Sequence, residues 1–223
     1  YEPISYSGIL RANNKSFGKA AIPTYNFDKA DYIVSFDADF LGTWLDSNRT
    51  QSNYAKKRVP KDGKMSKHYQ FESLMSLTGA NADVRLPMRA SKVGLHLLKL
   101  YNLLTGAGSD GQELAGNALN KVAQEVNAAK GRSLVVCGSN DENDQILVNA
   151  INLHLNSYGN TIDLENTYNG CSIDEKEFIS FTKNASNYGA AIFVDVNPAY
   201  ANGAFGEALS KIPVKISNAL ILD

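Results

Sequence analysis

The chain has 223 residues, 43% of them hydrophobic and 20% charged, ordinary proportions for a folded protein with a sizeable core. With 22 basic residues against 23 acidic ones the formal charge is −1, which gives no electrostatic case for nucleic acid or an anionic membrane as partner. No apolar run reaches the roughly 20 residues that a membrane span needs, and no secretory leader is read.

In chain order, Ser5–Phe17 reads as a helix, followed by a loop through Gly18 and Pro23. Tyr32-Ile33-Val34-Ser35-Phe36 is a short apolar run that ends in Asp37, Asp39 and Gly42, the pattern of a buried parallel strand opening into a loop. Ligands of open α/β sheets bind outside the carboxyl ends of strands, so Asp37 and Asp39 are candidates for a site wall. The plainer reading is that both acids cap the next segment and face water. Trp44, the one tryptophan, reads equally as a stacking platform or as core. Ser47–Lys67 reads as a polar loop, with Lys56, Lys57, Arg58, Lys61, Lys64 and Lys67 near a single acid, Asp62. It is either solvated or a docking surface for an acidic partner.

His68–Ser73 and Asp83–Met88 read as strands with a turn at Ser76–Asn81 between them, and Asp83 is expected near Asp37 and Asp39 at one sheet edge. Ser91 reads as the cap of a helix through Val93, Leu97, Leu100, Tyr101 and Leu104. Gly106–Gly111 matches G-x-G-x-x-G by letters, but it follows a helix instead of a strand, so it reads as a helix–helix loop. Asp110 with Glu113 opens the next helix, whose buried face is Leu114, Leu119, Val122 and Val126. If two lobes are present, they meet near 106–131.

The second half alternates cleanly: strand Ser133–Cys137, turn Gly138-Ser139-Asn140, helix Asp141–Tyr158, and a helix over 173–186 opened by Ser172 and Glu175. Strand Gly189–Asp195, a short helix Ala204–Ile212 and strand Val214–Leu222 complete it. The expectation is an α/β fold, Rossmann-like, with a mostly parallel sheet and helices on both faces. Cys137 reads as a buried strand residue, and with Cys171 it forms no metal or redox spacing. His68, His96 and His154 stand in no ligand spacing, and no nucleophile elbow or phosphate loop is present. Tyr1, not Met, opens the sequence, so the chain is expected to be a piece of a longer protein.

Three segments carry a resemblance: SFDADFLGTW (35–44), SLTGANADVRLPMRASKVGLHLLKL (76–100), and GRSLVVCGSNDENDQILVNAINLHLNSYGNTID (131–163) followed by VDVNPAY (194–200). They resemble, in order, segments of the molybdopterin oxidoreductase superfamily, with its formate dehydrogenase/DMSO reductase-like domain. The likeness is nearest to the ActB-type iron–sulfur subunit of alternative complex III, through Tyr1-Glu2-Pro3, Asp37–Gly42, Met65, Glu72-Ser73 and Arg85–Ser91.

The resemblance implies a cofactor-free domain of a respiratory complex that passes electrons from quinol to cytochrome c or an oxidase. The domain would act as a structural and docking platform through the loop 56–67 and the edge 37–44. Its partners would be other subunits of the membrane-bound complex, on the periplasmic side of the inner membrane, with iron–sulfur clusters elsewhere in the parent. No catalytic or metal residue is assigned. Cofactor-bearing members hold a guanine through a P-G-T-D turn, but here the turn is Ala90-Ser91-Lys92-Val93. Guanine N–H donors want a carboxylate, and Lys92 cannot accept them. The alternative is a functional part of a molybdoenzyme that binds molybdopterin guanine dinucleotide, with Asp37, Asp39, Ser139, Asn140 and Asn197 lining the pocket.

Overall fold

The computed structural model describes residues 5–108, 118–170 and 175–219. The contacts divide the chain into two compact units, residues 8–172 and residues 173–223 with 1–7, so the segment 106–131 lies inside the larger one.

The larger unit opens with α1 (Ser7–Phe17) and β1 (Ile22–Tyr25), then β2 (Tyr32–Phe36), α2 (Ser47–Arg58), β3 (Lys67–Glu72) and the one-turn α3 (Leu77–Ala80). It continues with β4 (Val84–Pro87), α4 (Val93–Thr105), α5 (Ala118–Ala128), β5 (Ser133–Cys137), α6 (Glu142–His154) and β6 (Ile162–Tyr168). Four strands form an all-parallel sheet in the order β4-β3-β2-β5, flanked by helices. The chain runs outward from β2 through β3 to β4 and returns on the far side of β2 as β5. The boundary between β2 and β5 is therefore the switch point, where open α/β sheets usually bind ligands.

Several expectations are corrected. Ser47–Lys67 is not all loop, because Asp46 caps α2 by accepting from the Arg49 amide. Lys56, Lys57 and Arg58 end that helix, where cations suit its dipole. Its buried stripe is only Thr50 and Tyr54, too narrow for hydrophobic periodicity to register. Pro23 lies in a strand, not a loop: β1 pairs antiparallel with β6, and the register slips at Pro23/Thr24, where the missing N–H is tolerated. Ser91 caps nothing. It lies within a 3₁₀ turn, Ala90–Lys92, that leads into α4.

Gly106, at φ +74, ends α4 with its amide on the Asn102 carbonyl, as a helix-terminating loop requires. The remainder of that loop with Asp110, Glu113 and Leu114, and also Cys171 and Ser172, lie outside the described residues. No described helix is long and apolar enough to cross a membrane.

Pleating gives the sheet two different faces. Val34, Phe36, Tyr69, Phe71, Val135 and Cys137 pack on α4, α5 and α6 through Leu97, Leu100, Leu119, Val122, Val126 and Ile151. The opposite face carries Ile33, Ser35 and Leu134, but on β3 it presents His68, Gln70 and Glu72, all buried. These three form a hydrogen-bonded line along the strand. Gln70 Nε2 donates to Glu72 Oε2 at 3.2 Å, which leaves Gln70 Oε1 as the acceptor for His68 Nε2 at 3.1 Å. The proton of a neutral His68 is thus on Nε2, and Nδ1 shares the single proton of the Tyr54 hydroxyl, at 3.2 Å, with the Asn81 carbonyl, at 3.1 Å. Burial pushes the His68 pKa down to about 4, although its bond to Gln70 opposes this.

The smaller unit contains α7 (Glu175–Lys183), β7 (Ala190–Phe193), α8 (Pro198–Ala201), α9 (Ala204–Ser210) and β8 (Val214–Ser217). β7 and β8 pair parallel, and Ala185, Ala208 and Ile212 form the buried centre. Phe178, Phe181, Ile192, Phe193, Val196 and Phe205 line an open hollow of about 350 Å³.

Because folded His68 binds fewer protons than unfolded histidine, its contribution to stability is full above pH 6.5 and declines as pH falls toward 4. Urea unfolding at pH 7.5 and 5.0 should show a loss on the order of 2 kcal/mol from this group. His68→Asn, which does not titrate, should be less stable at pH 7.5 but should lose correspondingly less between the two pH values.

Candidate functional site

The carboxyl edge of the parallel sheet gathers Asp37, Asp39, Ser139 and Asn140, because β2 and β5 are neighbours and both chains turn immediately after them. Asp37, at φ +53, redirects the chain, and its carboxylate accepts from the Ser73 amide at 2.9 Å and from the Ser73 hydroxyl. The Asp39 carboxylate accepts from the Thr78 amide at 3.1 Å and the Thr78 hydroxyl at 2.7 Å, which fastens the start of α3. Its carbonyl receives the amides of Gly42, Thr43 and Trp44. The Ser139 hydroxyl donates to Asp144 at 2.7 Å. Asn140 Oδ1 accepts from the Gly8 amide at 2.8 Å.

The switch point itself is closed by backbone. Gly138 lies so near the Asp37 carbonyl that a Cβ at this position would overlap it. Gly8 is pressed as tightly on the Asn140 carbonyl. Only residues without a side chain permit these approaches.

Asn197 belongs to the smaller unit, where its side chain caps α8 by accepting from the Tyr200 amide at 2.9 Å. Asp83 is corrected too. It precedes β4, so in a parallel sheet it stands at the amino end, opposite Asp37 and Asp39, where Arg58 holds it through two contacts of 2.7 and 2.8 Å. Burial works against its charge, but the Arg58 bonds outweigh burial and lower its pKa. Trp44 is buried and packs on Tyr25 at 5.1 Å, so it belongs to the core. His96 is buried against Phe71, with Nδ1 2.8 Å from the Lys92 carbonyl. Cys137 is a free buried thiol, and burial pushes its pKa up to about 12.

One residue at this edge was missed as part of the candidate site, namely Glu72. Its side chain is 1% exposed yet ionised, and it receives Arg85 Nε at 2.5 Å, Ser76 Oγ at 2.6 Å, the Ser76 amide at 3.2 Å and Gln70. Burial raises its pKa, but the Ser76 and Arg85 bonds prevail and leave it below the ordinary value. Gly79 is required beside it, because a Cβ there would run into the carboxylate. The available signal was strand alternation: Tyr69 and Phe71 fill the apolar face, so His68, Gln70 and Glu72 must share the other.

The basic stretch is mostly neutralised by acids distant in sequence. Lys56 approaches Asp28 at 3.9 Å, Lys57 contacts Asp31 at 2.8 Å, Arg58 contacts Asp83, and Lys67 contacts Glu125 at 2.8 Å. Lys61 and Lys64 flank the tight turn Asp62-Gly63, whose φ angles of +52 and +71 suit a hairpin. They stand on the rim of an open basin of about 1090 Å³ at the amino end of the sheet.

Gly138 and Gly8 approach the Asp37 and Asn140 carbonyls too closely to admit a Cβ, and the 3₁₀ turn Ala90–Lys92 carries a lysine. Among the described residues, no three His, Cys, Asp or Glu side chains come together as a metal-holding group. No protein-family model and no curated protein sequence matches the chain.

Gly138→Ala should lower stability by about 1–3 kcal/mol, because β2 and β5 must separate to admit a methyl group. Asp39→Ala should lower it by about 1–2 kcal/mol through loss of the Thr78 anchor. Both values follow from urea titrations monitored by circular dichroism.

Proposed function

We propose that this chain is a non-catalytic α/β platform within a larger assembly. The observation that carries this reading is the state of the carboxyl edge. Asp37, Asp39, Glu72, Ser139 and Asn140 are all engaged in internal hydrogen bonds, and Gly138 and Gly8 close the space a ligand would use. The donors that these carboxylates receive come from their own chain and fix their orientation toward it. The edge therefore supports a holding role over a reactive one.

The particular assembly rests on the sequence likeness alone. On that likeness, the domain is the cofactor-free molybdopterin-oxidoreductase-like part of an ActB-type subunit, in a periplasmic quinol-oxidising complex whose iron–sulfur clusters are carried elsewhere.

Metal and pterin analysis of the full-length parent, purified from its own membranes, tests both levels. Iron without molybdenum or tungsten, together with co-purifying cytochrome and membrane subunits, is the expected result. Molybdenum or tungsten near one per chain, with a fluorescent oxidised pterin that is lost in Asp39→Ala, would overturn the reading in favour of a dinucleotide-binding enzyme. A parent without iron or respiratory partners would remove the ActB assignment and leave the platform role standing.

A further inference from the structure

The loop after β3 displays three large apolar side chains to solvent. Leu74 is 80% exposed, Met75 72% and Leu77 55%. Isolated apolar residues on a surface need no explanation, but three within four positions form a patch. The loop is also tied down at each end and between. Asp37 holds Ser73, Glu72 holds Ser76, and Asp39 holds Thr78. Ser76 in turn caps α3 by accepting from the Gly79 amide at 2.9 Å.

Three carboxylates thus fix the backbone beneath three exposed apolar side chains. Fixing a loop in advance removes an ordering cost that binding would otherwise carry.

Cations follow the strand that ends beside this loop. The Met88 amide donates to the Glu72 carbonyl at 2.9 Å, so the exit of β4 lies beside the start of this loop. Arg89 follows immediately and is exposed, and Lys92, partly exposed, donates its amide to the Arg89 carbonyl. Neither side chain has an ion pair among the described residues, unlike the cations of α2.

We infer that Leu74, Met75 and Leu77 form a docking knob for another protein, one offering an apolar pocket with Asp or Glu on the side that meets Arg89 and Lys92. A bilayer is the poorer fit. Insertion into lipid needs no fixed loop shape, and the knob has no Trp or Tyr to sit at a membrane interface. The inference deepens the platform reading and rests on it.

A photo-reactive benzoylphenylalanine at Met75 of the full-length protein, irradiated in its native host, tests the inference. Ser52, exposed on α2, serves as the control position. The expected product is a cross-link from position 75 to one different polypeptide, at an apolar site flanked by acids, above the yield from position 52. Leu74→Glu should reduce that yield roughly tenfold, as for loss of a central apolar anchor, while the thermal midpoint stays unchanged. Arg89→Glu with Lys92→Glu should reduce it likewise, and reversing the partner's acids to Lys should restore it.

Adducts with lipid, with a second copy of this chain, or no more than the control yield would overturn the inference. The pterin analysis separates the two claims. A bound pterin with the cross-link intact defeats only the platform reading, and absence of both pterin and cross-link defeats only the knob.

Discussion

The structure of the carboxyl edge depends on one demand, which is that a buried carboxylate must be answered on every side. Glu72 ends the second strand of the sheet with 1% of its side chain exposed. Removing such a charge from water costs several kcal/mol unless donors surround it. The chain meets this from four places. Gln70 donates from two residues back along β3, Ser76 gives both its amide and its hydroxyl, and Arg85 reaches across from β4. Gly79 supplies the needed space. Each response has a structural consequence. Ser76 bends the loop into α3, Arg85 ties the edge strand to its neighbour, and Gln70 passes the polarity back to His68 and Tyr54. The polar line through the sheet and the shape of the loop beyond it therefore have a common origin.

This explains which parts of the fold could be read from the sequence. Apolar runs closed by turn residues marked Tyr32–Phe36 and Ser133–Cys137, and helical spacing marked Val93–Thr105, because in each case burial and local pattern coincide. Ser47–Arg58 failed because its helix buries one narrow stripe and is otherwise polar. Ile22–Tyr25 failed because proline argues against a strand, and its partner Ile162–Tyr168 carries D-L-E-N-T, with no clean alternation. His68–Ser73 reads as a strand, but the burial of His68, Gln70 and Glu72 was not legible. Polar residues at alternate positions suggest a solvent face, yet these three point into protein and satisfy one another.

Charge proved equally dependent on distance in sequence. Six cations between 56 and 67 stand near one local acid, and read locally they form an unpaired basic surface. Folding brings Asp28, Asp31, Asp83 and Glu125 against four of them. The same logic moved Asp83 away from the candidate site, because residues before and after parallel strands lie at opposite ends of the sheet. Asp37 and Asp39 stand at the carboxyl edge, but their carboxylates do not cap the segment that follows them: Asp37 accepts from Ser73 and Asp39 from Thr78, both far along the chain.

Those hydrogen bonds orient the acids of this edge toward their own chain. At a ligand-binding edge, carboxylates and amides keep unused valences directed at the crevice. Here the valences of Asp37, Asp39 and Glu72 are directed sideways, into Ser73, Thr78 and Ser76. After β2 and β5, Gly138 meets the Asp37 carbonyl, and Gly8 of α1 meets the Asn140 carbonyl, too closely for a side chain at either glycine. A loop held at three points keeps Leu74, Met75 and Leu77 in water, so the hydrophobic gain that their burial would bring is left unused by the folding of this chain. On the reading proposed above, a partner surface that covers those side chains would realise that gain.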